Sequence, residues 1–174
     1  MKGLDNPNYL VAYIISNIAG LIILWAAIKR PYLARLMFVI LFSWACVANY
    51  TLAHQKPEEY LNYADTSIKW YRDFIHGWFT NHITIMVSSI AIGEGLIAIG
   101  MILKGWWVKL SCIGVIVFLM AIAPLGVYAG FPFSITVSIA AFVVLKKNEV
   151  NYLWQYDVLQ KTSHVKFPYD IHQK

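Results

Sequence analysis

Charged residues are scarce in this chain of 174 residues. Only 13% are Asp, Glu, Lys or Arg, whereas 59% are hydrophobic. A soluble domain carries about 25% charged residues, because its surface must be solvated by water. The composition therefore excludes an ordinary soluble globule. We expect an all-α integral membrane protein that contacts the lipid bilayer.

Cysteine and the common catalytic motifs are also rare or missing. Cys46 and Cys112 each lie inside an apolar block, and the sequence has no C-x-x-C pair. A disulfide framework or a thiol redox motif is therefore not expected. Gly-rich phosphate loops, Ser/His/Asp patterns and basic nucleic-acid stripes do not occur either, so no nucleic-acid partner is predicted.

The hydrophobic residues are gathered into long blocks. A helix needs about 20 apolar residues to cross the hydrocarbon core of a membrane. The first block is too long for a signal peptide and has no small-residue cleavage site, so we expect it to remain as a helix. Five transmembrane helices are predicted, at 9–28, 32–53, 83–103, 106–128 and 131–147.

The fifth block is the shortest, and glycine and proline make its start ambiguous. We interpret Leu125–Gly130 as a tight turn between the fourth and fifth helices. Pro132 suits the first turn of the last helix, where its missing N–H has no partner to lose. A helical hairpin that does not reach the far side is the alternative.

The basic residues predict the orientation. One side of the predicted spans collects ten Lys and Arg residues, and the other side holds four that are offset by acids. By the positive-inside rule, the N-terminus lies outside and the tail 149–174 lies in the cytoplasm. We expect a bacterial cytoplasmic (inner) membrane. The ten residues are Lys29, Arg30, Arg35, Lys104, Lys109, Lys146, Lys147, Lys161, Lys166 and Lys174.

The outer loop 54–82 has a pattern of its own. Within 65–79, apolar residues recur at helical spacing on one side and charged residues fall on the other, with Asp65 as the N-cap. This predicts an amphipathic interfacial helix that lies on the membrane surface or caps the bundle. The residues assigned to this outer lid are Tyr60, Trp70, Asp73, His76, Trp78 and His82.

Glu94 stands out because it lies near the middle of the third block. An ionisable group in hydrocarbon costs a few kcal/mol, so it is a functional candidate, and it either finds a partner or takes up a proton. A buried pair with Arg35 is one interpretation; a protonated acid between helices, with Arg35 anchored at headgroups, is the other. Asn17 and Ser43, at similar depth, complete the predicted polar interior, although such residues also serve helix packing.

The histidines do not predict a metal or haem site. His54, His76 and His82 all lie in or beside one loop. A haem held by two histidines needs ligands that face each other from neighbouring helices, and a zinc site needs compact ligand spacing. Ordinary interfacial histidines are the simpler interpretation.

Several short motifs resemble the DoxX-like membrane proteins. Arg35 opens a hydrophobic helix, Asn49 lies near its far end, and a Lys-Pro-Glu-Glu-Tyr run follows at 56–60. The acid-and-glycine segment Ile90–Gly100 resembles that family's acid-then-glycine-rich helix. The sequences Ala123-Pro124-Leu125-Gly126 and Phe131-Pro132-Phe133 look like its closing turn.

The resemblance covers about residues 32–145. It implies a four-helix membrane unit, which is preceded here by one extra N-terminal helix. The positions that it highlights are Arg35, Asn49, Pro57, Tyr60 and Glu94.

Some relatives in that family are subunits of membrane complexes that pass electrons to quinone. The resemblance therefore implies a non-catalytic subunit, or a binder of a quinone-like or lipophilic molecule. Without a metal, haem or paired-thiol motif, the chain is not expected to be an enzyme or to hold a cofactor on its own, and quinone or lipid is the expected ligand. The expected partners are a membrane or peripheral redox subunit, or further copies of this chain in a homo-oligomer.

Two other functions remain open. A proton-coupled transporter would use Glu94 as its carrier, although the small size and the lack of paired discontinuous helices oppose it. A membrane assembly or structural factor would have a stable partner and no small ligand.

Overall fold

The computed structural model describes residues 7–147 and 152–153, with Asn8 through its backbone alone. Helices make up the ordered elements of this part of the chain, which contains no strand. They are α1 (Pro7–Lys29), α2 (Pro31–Gln55), α3 (Lys69–His76), α4 (Ile83–Ile102), α5 (Trp106–Ile122) and α6 (Phe133–Lys146). Short 3-10 turns occupy Pro57–Asp65, Phe79–Asn81, Ala123–Leu125 and Val127–Ala129.

Five helices are long and apolar enough to cross a membrane, which confirms the predicted number. They are Tyr9–Lys29, Pro31–Gln55, Ile83–Ile102, Trp106–Leu125 and Val127–Lys146. The fifth reaches 20 residues because the 3-10 turn before α6 adds to its length. The predicted tail 149–174 lies outside the described residues, apart from Tyr152 and Leu153.

The five long helices pack in a closed ring, in the order α1, α2, α4, α5, α6. The N-terminal helix is a full member of this ring, because α1 packs against both α2 and α6. At Gly20 the approach is close, since a Cβ there would lie 2.9 Å from the Phe133 ring. At the far end of α1, the Lys147 ammonium donates to the carbonyl of Ile28.

Alanines occupy many buried positions inside the ring, beside the larger Phe38, Phe42 and Met101, and further large apolar side chains cover its outside. Small residues let helix backbones approach closely, which is the packing mode of membrane helices. The fully buried alanines are Ala26, Ala27, Ala34, Ala53, Ala140 and Ala141. Exposed large residues include Trp44, Val47, Ile85, Ile92, Leu96 and Ile99. Apolar exposure on this scale suits surroundings of lipid better than water.

The two ends of the ring differ. One end, which we call the loop side, carries the start of α1, residues 56–82 and the turns at 123–132. Tyr9 packs edge-on against Tyr128 there, with ring centroids 5.5 Å apart. The other end is the basic side. It carries Lys29, Arg30, Lys104, Lys146 and Lys147.

The predicted helix over 65–79 is corrected by the structure. Asp65 ends a 3-10 turn instead of capping a helix, and α3 begins only at Lys69, with Ile68 at its N-cap. Residues 66–68 bond to the α5–α6 connection: Thr66 Oγ1 donates to the Leu125 carbonyl at 2.8 Å, and the Ile68 N–H donates to the Pro124 carbonyl at 3.2 Å. These tertiary bonds hold the segment out of helical conformation.

The predicted turn at 125–130 is present, and Gly126 explains how the loop can sit on it. Gly126 has φ +83°, in the region that favours glycine. A Cβ at this position would lie 2.4 Å from the Thr66 carbonyl oxygen. The outer loop therefore packs directly against the backbone of the α5–α6 connection.

Replacing Gly126 with Ala should destabilise the protein. The new methyl group adds a strained positive φ and a clash with Thr66, for a cost of about 2 kcal/mol or more. Unfolding of the purified protein in mixed micelles measures this loss. Gly93→Ala is the matched control, because nothing lies within 4 Å of a Cβ there. The assignment fails if both variants unfold alike.

Candidate functional site

The packing of α2 against α4 brings an amide onto the buried acid. Asn49 Nδ2 donates to both carboxyl oxygens of Glu94, at 2.9 and 3.0 Å. Glu94 is only 2% exposed and Asn49 is half-buried. Since a buried carboxyl group needs hydrogen-bond partners, this contact gives Glu94 a donor from the neighbouring helix.

A tyrosine from the loop completes the arrangement. The Tyr60 hydroxyl donates to Asn49 Oδ1 at 3.0 Å and lies 3.3 Å from the Asn49 carbonyl oxygen. The nitrogen of the amide thus faces an acceptor and its oxygen faces a donor, so the orientation of the amide group is determined by its hydrogen bonds. The pKa of the Tyr60 hydroxyl is raised to about 12, mainly by burial and to a smaller extent by the charges of Tyr63 and Glu94. The hydroxyl therefore keeps its proton and remains a donor.

These three side chains, Tyr60, Asn49 and Glu94, form what we call the polar chain. It runs from the loop side towards the middle of α4, and at each step the donor points towards Glu94. A carboxyl group has about four acceptor positions, and one amide cannot fill them all. Within the described residues Asn49 is the hydrogen-bond partner of Glu94, so the carboxyl keeps capacity for a further polar group.

More tyrosines surround the top of the polar chain. The Tyr63 ring stacks on Tyr60 with centroids 6.0 Å apart, and Tyr128 meets Tyr63 edge-on at 6.5 Å. Tyr9 then packs on Tyr128, so the first turn of α1 reaches the site. The pKa of the Tyr63 hydroxyl is raised mainly by burial, and the charges of Tyr9 and Glu94 raise it to a smaller extent.

Tyr9, Tyr63 and Tyr128 also belong to the site, although the sequence did not predict them there. Tyr60 and Tyr63 are three residues apart, a spacing that aligns side chains in a 3-10 helix. This spacing would indicate a shared site only if the 3-10 turn at 57–65 were predicted from the sequence as well. Nothing in the sequence indicated that Tyr9 and Tyr128 would meet there.

The predicted pair between Arg35 and Glu94 is corrected. Arg35 is 2% exposed and caps the end of α4: Nε and Nη2 donate to the Met101 carbonyl at 3.1 and 2.8 Å, and Nη2 donates to the Leu103 carbonyl at 2.7 Å. Met101 lies seven residues beyond Glu94, or about 10 Å along the helix. Arg35 therefore satisfies the orphan carbonyls of a helix C-terminus, where a cation is also favoured by the dipole. The alternative, in which Arg35 reaches out to lipid headgroups, does not fit its burial either.

Asn17 and Ser43 do not join the polar chain. Asn17 Nδ2 donates to the carbonyl of Tyr13 in its own helix at 2.9 Å. Ser43 is exposed on the outside of α2. Similar depth placed both residues in the predicted interior, but depth along a helix does not determine which face a side chain occupies.

Of the residues predicted as the outer lid, Tyr60 covers the site, whereas those in 65–79 do not. Trp70, Asp73, His76 and Trp78 are exposed, and Trp78 stacks on His82 at 4.1 Å. The side chain that covers Asn49 is Tyr60, which is 8% exposed and belongs to the turn Pro57–Asp65. We call this turn the lid segment. Helix α3 instead buries Ile75 in a small loop-side core.

A surface groove lies beside the lid segment and apart from Glu94. It has a volume of about 420 Å³. Its lining residues are Pro57, Glu58, Leu61, Thr80, Asn81, His82, Ile83, Thr84 and Ile85. Within residues 7–147 and 152–153, no three His, Cys, Asp or Glu side chains come together in a way that could hold a metal ion.

Arg35→Lys should destabilise the basic side. A lysine ammonium cannot reproduce the rigid fork that joins Met101 and Leu103, so a loss of about 1.5–3 kcal/mol in the free energy of unfolding is expected. Arg30→Lys is the control, because Arg30 is exposed at the N-cap of α2. Equal losses in both variants would contradict the capping role of Arg35.

Asn49→Leu should cost about 1–3 kcal/mol, because it removes the donor from a buried carboxyl group. Combining it with Glu94→Leu should restore part of that loss in a double-mutant cycle measured by unfolding. Ser43→Ala, on the exposed side of the same helix, should leave stability unchanged. Strictly additive losses for Asn49 and Glu94 would show that the two side chains do not interact.

Comparison of the chain with protein-family models, with curated proteins and with solved structures gave no match. The DoxX-like resemblance of residues 32–145 therefore stays a prediction from short motifs. What characterises the site is its geometry: a buried carboxyl group, an amide and a phenol joined by hydrogen bonds beneath a group of tyrosine rings.

Proposed function

We propose that this chain is a small multi-pass membrane protein of the DoxX-like type that binds a quinone-like or other lipophilic molecule at Glu94. It acts as a non-catalytic subunit of a membrane redox system. In this proposal the N-terminus and the loop side face outwards from a bacterial inner membrane, and the basic side faces the cytoplasm, as the positive-inside rule favours.

The observation that carries the proposal is the burial of Glu94 on a single amide partner in the middle of a helix that is apolar enough to span a membrane. Helix packing alone does not require an acid there, and an ionisable group in hydrocarbon is costly. A ligand whose oxygen atom forms a hydrogen bond with the carboxyl group would explain why this position holds an acid.

The surroundings of the polar chain suit a flat ring that carries oxygen atoms. Asn49 and a protonated Glu94 offer donors to a carbonyl oxygen of such a ring. The rings of Tyr60 and Tyr63 offer aromatic faces on the loop side, and aromatic pairs prefer stacked or edge-on contacts. Tyr60 covers Asn49, so a ligand reaches Glu94 by displacing the lid segment.

Glu94→Gln tests this function. The protein is purified in lipid nanodiscs with a soluble short-chain ubiquinone analogue, and bound quinone is measured by extraction and absorbance. The amide keeps the size of the side chain but replaces the carboxylic O–H with a weaker N–H donor, so about tenfold weaker binding is expected, which corresponds to about 1.4 kcal/mol. Ser89→Ala, exposed on the same helix, serves as the control and should bind as the unmodified protein does.

Two results would contradict the proposal. The unmodified protein could retain no quinone, or Glu94→Gln could bind quinone as tightly as the unmodified protein does. Proton flux in proteoliposomes that is abolished in Glu94→Gln, without quinone binding, would favour the proton-coupled transporter instead.

A further inference from the structure

The groove beside the lid segment lies at the edge of the apolar part of the bundle. It is formed where Pro57 and Glu58 begin the lid segment and where Ile83 begins α4. The loop side starts here, so the groove lies at the level where a membrane-spanning helix leaves hydrocarbon. Its ligand would have both a polar and an apolar part.

The two titratable side chains that line the groove offer acceptors. Glu58 contributes an exposed carboxylate, for which residues 7–147 supply no hydrogen bond or ion pair. His82 Nδ1 lies 2.7 Å from the Trp78 carbonyl oxygen, which can only accept, so Nδ1 carries the proton. In the neutral ring, Nε2 is then an acceptor as well. Lys56, two residues before Glu58, does not line the groove.

The rest of the lining contains both polar and apolar side chains. Thr80, Asn81 and Thr84 add neutral polar groups, whereas Pro57, Leu61 and Ile83 are apolar. Ile85 is 72% exposed and continues the apolar surface along α4. A ligand that has both a cationic donor and a hydrocarbon chain therefore finds partners of both kinds in this lining.

We propose that this groove binds the primary ammonium headgroup of an aminophospholipid such as phosphatidylethanolamine. The ammonium group donates to Glu58 and His82, and the acyl chain follows Ile85 along α4. A primary ammonium has three N–H donors, whereas the quaternary ammonium of phosphatidylcholine has none, so the groove discriminates between these two lipids. This site is separate from Glu94 and does not depend on the function proposed for it.

Native mass spectrometry of the full chain released from nanodiscs tests this proposal. The nanodiscs contain equal amounts of phosphatidylethanolamine and phosphatidylcholine with identical acyl chains, and the ratio of the two retained lipids is measured. A hydrogen bond that only the primary ammonium can donate is worth about 0.5–1.5 kcal/mol, so about twofold to tenfold enrichment of phosphatidylethanolamine is expected. In Glu58→Gln the ratio should fall towards one.

Glu59→Gln is the matched control. Glu59 is the adjacent acid, does not line the groove and accepts a hydrogen bond from Asn62 at 3.1 Å, so its variant should keep the enrichment. Equal retention of the two lipids by the unmodified protein, or enrichment that survives Glu58→Gln, overturns the proposal. If micromolar free ethanolamine displaced the bound lipid, the ammonium group recognised by the groove would not be that of a lipid, which would overturn the proposal. Glu94→Gln should retain the enrichment, which keeps this test distinct from that of the quinone site.

Discussion

The hydrogen bond from Asn49 to Glu94 is the interaction on which the site depends. It joins α2 to α4 at a buried level, and its removal leaves a carboxyl group without a donor in an apolar bundle. The same amide accepts from Tyr60, so this contact also determines where the lid segment rests. The position of the loop and the environment of the acid are therefore linked through one side chain.

The same two helices are joined a second time at the basic side. There Arg35 of α2 holds the last carbonyls of α4, at Met101 and Leu103. Asn49 gives a donor to the buried acid in the middle of α4, and Arg35 gives donors to the carbonyl groups at its end. At both positions the donor for α4 comes from α2. Such contacts favour one register of the two helices over others, because a shift along the axis would leave both groups unpaired.

Much of the architecture was predictable, because it depends on features that can be read residue by residue. Apolar block length predicted the five long helices, and glycine with proline predicted the turn at 125–130. Glu94 was highlighted by its depth, and Asn49 and Tyr60 by the DoxX-like resemblance. Of the two interpretations left open for Glu94, the pair with Arg35 was wrong. Depth along a helix is readable from sequence, whereas the face that a side chain occupies depends on packing with neighbouring helices. The 3-10 lid segment and the meeting of Tyr9 with Tyr128 depend on tertiary bonds for the same reason.

The central claim is that Asn49 and Glu94 are in direct contact when the protein is in a bilayer. Solid-state NMR of protein labelled with ¹⁵N at the asparagine side chains and ¹³C at the glutamate carboxyl groups measures the dipolar coupling between Asn49 Nδ2 and Glu94 Cδ, with Asn49→Leu used to assign the signal. The structure predicts a coupling as strong as that of a directly hydrogen-bonded pair, which disappears in Asn49→Leu. A Glu94 carboxyl carbon that shows no coupling to the Asn49 amide nitrogen would contradict the account.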